Sequence, residues 1–363
     1  MGPLHHPEPR GTLWLYVPEK SGDKERGVHL LGSKITRNRA HPISLVNYPP
    51  NHDFHPLGIA IWPSHDGNSS NFYAVNHARK RTVIEQFAIN PERPLEAVHV
   101  RTITSSYFLS PNALALTSPD SFYVTNDHLM TRRLPVLGHF LPILESILAL
   151  PLGFVLHVAL GPSASFSTNT GPIVDVVKPF ISFPNGIALS PSGDEVAVAV
   201  TTMGEVKIYK RNPATNALTP KSSVSLPFLT DNLHYETGRE GKPTLVVAGH
   251  PNLKDLEKVA SNRTSSFSAS WVVAVVPKSD GELPQTSFDL EAPVSSSTRV
   301  NGDGAGWTLR TLFQSSGDEH RGGFGSSSSG LVDPASGSFY VTGLYAHGGA
   351  LVCKPGSAKS RRH

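Results

Sequence analysis

The sequence has one cysteine, Cys353, which excludes an internal disulfide and any cysteine-based zinc site within the chain. Charge is also sparse. Only 17% of the 363 residues are Asp, Glu, Lys or Arg, and a formal net charge of +3 gives no argument for a nucleic-acid partner. Part of that excess sits in Lys359-Ser360-Arg361-Arg362-His363, read as a solvated basic tail over 357–363. No apolar h-region follows Met1-Gly2-Pro3-Leu4-His5-His6, so no signal peptide is visible, and residues 1–10 are expected to be disordered. One apolar run, His139 to Leu160, approaches membrane-spanning length, but Glu145, Pro151, Gly153 and His157 interrupt it. It reads as a short amphipathic helix near Leu141–Leu150, inside an insertion over about 130–152, followed by a strand at Phe154–Leu160. That helix would cap the fold or lie on a membrane surface through 139–152, with Arg132 and Arg133 at its edge.

What the chain has in quantity is turn residues, 31 Gly and 31 Pro, between short alternating apolar runs. Strands are expected at Gly11–Val17, His41–Val46, Gly58–Trp62, Asn71–His77, Thr82–Phe87 and Ala97–Ile103. The pattern restarts at Pro111-Asn112, at Pro184-Asn185-Gly186, at Thr230-Asp231-Asn232 and at Gly325–Val332. Each restart opens a small antiparallel unit, and recurrence every roughly 45 to 95 residues predicts an all-β propeller over 11–356 rather than a sandwich. Five openings are visible, near Leu57, Asn112, Asn185, Asn232 and Ser327. The strands before Leu57 read as the second half of another blade, giving six blades with the first incomplete. A Ser/Gly-rich loop is expected over about 278–325, broken by a strand at Trp307–Leu312. Asn68 and Asn262 fit the glycosylation acceptor pattern, and no compartment follows from the residues alone.

In a propeller the first strand of each blade lines the central channel, so Asn112, Asn185, Asp231 and Asn232 are expected to converge at its mouth. Amide oxygens plus a carboxylate suit a hard cation taking about six to eight oxygen ligands, which means calcium rather than zinc. Calcium can polarise a carbonyl or phosphoryl oxygen, and a histidine can activate water beside it. His77, His128 and His250, each at the end of a second strand, are the candidates, His77 foremost.

Phe54-His55-Pro56-Leu57-Gly58-Ile59, Val75-Asn76-His77, Phe122-Tyr123-Val124-Thr125-Asn126-Asp127-His128, Asn185-Gly186-Ile187, Asp231-Asn232 and Gly249-His250-Pro251-Asn252 occur here in that order. Together they resemble the serum paraoxonase/arylesterase family, from Gly11 onward. The resemblance implies a six-bladed propeller with two calcium ions that hydrolyses lactones, aryl esters and some organophosphates. It implies that Asn112, Asn185, Asp231 and Asn232 hold the catalytic calcium and that His77 is one member of a histidine dyad. His250, Leu57 and His128 would stand in the pocket wall. The other dyad position falls at Leu57, which takes no proton, and His55 nearby is expected on the opposite strand face. The family's Glu-Asp pair has no counterpart here, and the second calcium would retain only the Ile59 carbonyl, with Ala113 in place of a carboxylate. Cys353 matches half of a family disulfide whose partner lies in the same region that has no counterpart. A helix used at a membrane or lipoprotein surface corresponds to the run after His128. Secretory or membrane-associated placement would follow if an opening segment carries a signal anchor.

The sequence therefore predicts a calcium-dependent hydrolase of small ester or lactone substrates, with His77 assisting attack by water. The alternative is a degenerate, non-catalytic propeller serving as a binding or scaffold module, which Leu57 favours. The residues do not specify an oligomeric state.

Overall fold

The computed structural model describes residues 10–18, 28–30, 33–35, 38–134, 136–161, 171–237, 243–261, 266–277, 306–334 and 336–354. The expected disorder before Arg10, the basic tail, Asn262 and the 278–305 part of the Ser/Gly-rich stretch lie outside the described residues. The chain forms two compact units, Met1–Ile181 and Ser182–His363.

The first unit begins with β1 (Leu13–Val17), β2 (Val28–Leu30), β3 (Ser33–Ile35) and β4 (Arg39–Val46), of which β2 and β3 pair with each other. One blade follows, β5 (Pro56–Trp62), β6 (Ser70–Asn76), β7 (Val83–Ile89) and β8 (Glu96–Ile103). The next is β9 (Pro111–Ser118), β10 (Ser121–Asn126), β11 (Gly153–Ala159) and β12 (Ile173–Ile181), with helix α1 (Leu141–Ile147) between β10 and β11. The second unit holds three more. They are β13 (Pro184–Leu189), β14 (Glu195–Val200), β15 (Glu205–Arg211) and β16 (Leu218–Ser225); then β17 (Leu229–Thr237), β18 (Pro243–His250), β19 (Ser270–Pro277) and β20 (Trp307–Ser315); then β21 (Ser327–Val332), β22 (Phe339–Gly343) and β23 (Ala350–Cys353). Helix α2 (Leu253–Ala260) follows β18.

These are up-and-down antiparallel sheets, the blades of an all-β propeller, and the described residues form five of them rather than six. The correction comes from β1 and β4, which found no blade of their own. They pair with each other, and β4 runs parallel to β8, Ser44 to Val46 against Glu96 to Val98, with Ser44 N–H donating to the Leu95 carbonyl at 2.8 Å. Leu13, Ile43 and Leu45 then pack with Phe54, Phe72, Phe87 and Ala97, the core of the same blade. Second strands such as Glu195–Val200 are rich in β-branched residues because they are flanked on both edges and buried on both faces. The second unit has its main core around Val206, Ile208, Leu245, Val247, Trp271 and Val273.

One charged side chain lies fully inside the first blade. Glu85 accepts hydrogen bonds from Thr102 Oγ1 (2.7 Å), His99 Nε2 (3.0 Å), His52 Nε2 (2.7 Å), Asn76 Nδ2 (3.0 Å) and the Tyr48 hydroxyl (3.2 Å). Burial pulls its carboxyl upward, but the bonds from His99, Asn76, Thr102 and His52 outweigh that and bring it from 4.5 down to about 2. A carboxyl depressed by folding contributes stability that is full above its unfolded value and is lost as pH falls through its folded value. For Glu85 that window runs from 4.5 down to about 2, and the contribution is on the order of 3 kcal/mol. Urea midpoints followed from about pH 6 to about pH 2.5 are expected to fall more steeply for the native chain than for Glu85→Gln. Parallel decline of the two would show that Glu85 is not the source.

Candidate functional site

Four opening strands carry the same irregularity. Leu57 and Gly58 of β5 together oppose Val75 of β6, and Asn112 and Ala113 of β9 oppose Thr125 of β10. Asn185 and Gly186 of β13 oppose Ala199 of β14, and Asp231 and Asn232 of β17 oppose Ala248 of β18. A bulge of two residues against one bends the strand and re-aims a side chain that regular alternation would send elsewhere. The first bulged position thus holds Leu57, Asn112, Asn185 and Asp231. Alternation alone does not reveal this; a small residue directly after a polar one marks it locally only at Asn112-Ala113 and Asn185-Gly186.

Within each unit one bulge rests on the next. A Cβ added to Gly58 would lie 2.1 Å from the Asn112 carbonyl oxygen and 2.7 Å from Ala113 Cα. A Cβ on Gly186 would lie 2.7 Å from Asn232 Cα and 2.8 Å from the Asp231 carbonyl oxygen. Glycine is required at both places because backbone meets backbone. The residues before the bulges are clasped from the neighbouring strand. Asn76 Oδ1 accepts from His55 N–H (2.8 Å), and Asn126 Oδ1 accepts from Leu109 and Ser110 N–H (3.0 and 3.1 Å).

In the first unit the structure brings His77, Asn112 and His128 together around Asp127. Asn112 Nδ2 donates to Asp127 Oδ2 at 3.1 Å, which ties down the amide nitrogen and leaves Oδ1 outside that bond. His128 Nδ1 meets Asp127 Oδ1 at 2.9 Å. Burial opposes ionisation of Asp127, yet the hydrogen bond and charge of His128 and the bond from Asn112 hold its carboxyl below the usual range. His128 is correspondingly raised: burial works against its charge, and Asp127 more than compensates. His77 differs. Its Nε2 is 2.7 Å from the Pro111 carbonyl, an atom that only accepts, so Nε2 carries the proton and Nδ1 holds the lone pair. Burial, with the charges of Arg133 and His55, pushes His77 below the usual histidine value despite opposing contributions from Asp127 and Pro111.

His55 was expected on the far side of a strand. It instead precedes β5, accepts a backbone hydrogen bond from His77 N–H at 3.1 Å, and acts electrostatically on the His77 ring. Leu57 is 46% exposed and offers no proton-bearing atom. Ile59 pairs with Ala74 and is also exposed, and the Ala113 side chain brings no oxygen.

In the second unit the bulges bring Asn185 beside Asp231 and Asn232. Asp231 is buried and accepts from His250 Nε2 through Oδ2 (3.2 Å) and from Asn232 Nδ2 through Oδ1 (3.3 Å). In Asn232 too the amide nitrogen is the bonded end, and the amide oxygen lies outside that bond. His250 Nδ1 is buried without a hydrogen-bond partner among the described residues, an acceptor open to a donor group. No group of three or more His, Cys, Asp or Glu side chains arranged to hold a metal occurs among the described residues. A site built mainly from amide oxygens needs no such group.

The insertion after His128 holds a shorter helix than 141–150, and it is inside out. Pro142 and Glu145 are its buried residues, while Phe140, Ile143, Leu144, Ile147 and Leu148 are exposed. Glu145 accepts from Leu129 and Met130 N–H at 3.0 and 2.9 Å, which fastens α1 to the segment after β10. Arg133 donates to the Arg79 and Ala78 carbonyls at 2.7 and 2.6 Å and holds the insertion to the loop carrying His77. No helix among the described residues is long and apolar enough to cross a membrane.

A family model described as Arylesterase matches residues 16–290. Serum paraoxonase/lactonase 3 of Rattus norvegicus is 30% identical over 243 residues, 67% of this chain and 62% of that protein. Serum paraoxonase/arylesterase 1 of Homo sapiens is 30% identical over 201 residues, 55% of this chain and 50% of that protein. The chain spans between half and two thirds of the length of these relatives. Among solved structures, a periplasmic gluconolactonase of Pseudomonas aeruginosa aligns with a TM-score of 0.44 at 10% identity, over 88% of this chain and 70% of its own.

Gly58→Ala and Gly186→Ala are each expected to lower stability by about 1–3 kcal/mol, because the added methyl meets backbone that cannot rotate away. Gly161→Ala, with nothing within 4 Å of the added atom, is the neutral control. Denaturant midpoints of the three variants check this, and an undisturbed Gly186→Ala would mean that the two bulges do not touch.

Proposed function

This chain belongs to the arylesterase family, and we propose that it hydrolyses carboxylic esters and lactones with calcium as cofactor. The observation that carries the proposal is the repeated bulge, which gives Asn112, Asn185 and Asp231 the same position on successive opening strands. The donor chemistry of the second unit fits calcium: hard amide oxygens of Asn185 and Asn232 and the Asp231 carboxylate; in the first unit Asn112 offers an amide oxygen of the same kind. Calcium bound there would supply a Lewis acid for the substrate carbonyl. With a single carboxylate in that set, affinity is expected to be weak, on the order of 10⁻⁴–10⁻³ M.

His77 is the proposed base. Its protonated Nε2 is anchored on the Pro111 carbonyl, so Nδ1 takes the proton of the attacking water. Its depressed pKa keeps the ring neutral and competent through the neutral range. His250 orients Asp231 by donating through Nε2 to its Oδ2. The exposed apolar side chains of α1, next to Arg132 and Arg133, support a proposed peripheral contact with a membrane surface. Asn68 lies exposed, as a glycosylated asparagine must.

A second reading, a non-catalytic binding module, is favoured by Leu57, an exposed leucine at the position equivalent to Asn112, Asn185 and Asp231. Lactone turnover with and without chelator separates the two. For the enzyme, chelation and Asp231→Ala abolish lactone turnover, and His77→Gln lowers kcat by about 10²–10⁴. Because the base must be deprotonated, the acidic limb of kcat/KM is expected below about 6.5, the ordinary histidine value. A folded chain without lactonase activity, whose calcium binding is unchanged in Asn185→Ala, would instead support the binding module.

A further inference from the structure

Asp127 and His128 have a third partner that plays no part in the proposed calcium chemistry. Ser146 Oγ lies 2.8 Å from His128 Nε2, while His128 Nδ1 lies 2.9 Å from Asp127 Oδ1. Carboxylate, imidazole and hydroxyl are therefore in line, with one imidazole nitrogen on each neighbour, the arrangement that defines a serine-hydrolase triad whatever the order of its members along the chain. We propose that Ser146 is a nucleophile activated by His128 and oriented through Asp127, giving this chain a metal-independent activity toward esters of apolar acids.

Three features hold the arrangement. Ser110 clamps His128 from below: its hydroxyl donates to the His128 carbonyl (2.6 Å) and accepts from His128 N–H (2.8 Å). Asp127 N–H donates to the Ser110 carbonyl at 3.0 Å, fixing the carboxylate on the same clamp. Glu145, immediately before the serine, anchors α1 through the backbone N–H groups of Leu129 and Met130, immediately after the histidine. Those two bonds set the distance between helix and strand end, and with it the Ser146–His128 contact. The hydroxyl also has the Pro142 carbonyl at 2.9 Å, a second acceptor for its single proton.

Ser146 is partly exposed, as are the His128 and Asp127 side chains at 14% and 15%. Around it Ile143, Ile147 and Leu129 are open to solvent, so the surface beside the hydroxyl is apolar. That surface suits the hydrocarbon part of an acyl group. In the first step the Oγ–acyl bond forms, the Oγ proton passes to His128 Nε2, and the ester C–O bond breaks as that proton is delivered to the leaving alcohol oxygen. Water then attacks the acyl-serine through the same nitrogen, releasing the acid and restoring the hydroxyl.

The full chain is treated with diisopropyl fluorophosphate in the presence of chelator and examined by intact mass and peptide mapping. The bond from Ser146 Oγ to phosphorus forms, fluoride leaves, and His128 takes the proton. One adduct per chain on Ser146 is expected, absent in Ser146→Ala and formed at least about 100-fold more slowly in His128→Gln at saturating reagent. In chelator, hydrolysis of 4-nitrophenyl butyrate should persist in the native chain and be lost in Ser146→Ala. Ser146→Cys guards against misfolding: its thiol should react with iodoacetamide faster than Cys353, and His128→Gln in that background should slow it. No adduct on Ser146 in a chain that melts cooperatively, or equal labelling of Ser146→Ala, would overturn the proposal. Because calcium is removed throughout, these outcomes are independent of the lactonase reading.

Discussion

Backbone resting on backbone is the contact on which the rest depends. Gly58 against Asn112–Ala113, and Gly186 against Asp231–Asn232, allow no side chain between successive opening strands. The separation of the bulged residues is then set by main-chain radii rather than by rotamers, which is the kind of rigidity a cluster of convergent oxygens needs. The bulges and the glycines serve one purpose: the bulge re-aims the polar side chain, and the glycine permits the approach that gives it neighbours.

Polar groups near these bulges are oriented by carboxylates. Asp127 takes the amide nitrogen of Asn112, and Asp231 takes that of Asn232, so in both units the carboxylate selects which end of the amide looks outward. The two histidines of the first unit are driven apart by their surroundings. His77, bound to a neutral carbonyl and desolvated, is pushed toward the neutral form, whereas His128, beside Asp127, is pushed toward the charged one. One fold thus tunes two neighbouring imidazoles in opposite directions, one by desolvation and one by a carboxylate.

Most of the blade pattern was legible because period-2 alternation and Gly, Pro, Asn and Ser turns mark strands and their ends directly. The strand at Phe154–Leu160 and the openings at Asn112, Asn185, Asp231 and Ser327 lie where alternation puts them. What alternation does not encode is which edge a strand joins, so β1 and β4 read as a separate blade although they extend the first. Helix α2 carried its own signal: Asn252 caps it by accepting from Lys254 and Asp255 N–H, a start residue that went unread beside the His250 motif. At the candidate site the polar openings at Asn112, Asn185 and Asp231 were legible, but Asp127 was not singled out, because its contacts with Asn112 and His128 form across a strand turn. Glu145 was read as an interruption of an apolar run. It is the residue that turns that run's apolar side outward.

The parallel pairing of β4 with β8 also bears on how the chain is made. The first blade is a hairpin meander that closes from nearest neighbours, but β1 and β4 have no edge to join until β8 has been synthesised. During translation the opening strands must wait, with Leu13 and Leu45 uncovered, while three hairpins assemble behind them. The nascent chain therefore exposes an undocked strand pair for the whole synthesis of the first blade, and that interval is when a chaperone has something to hold.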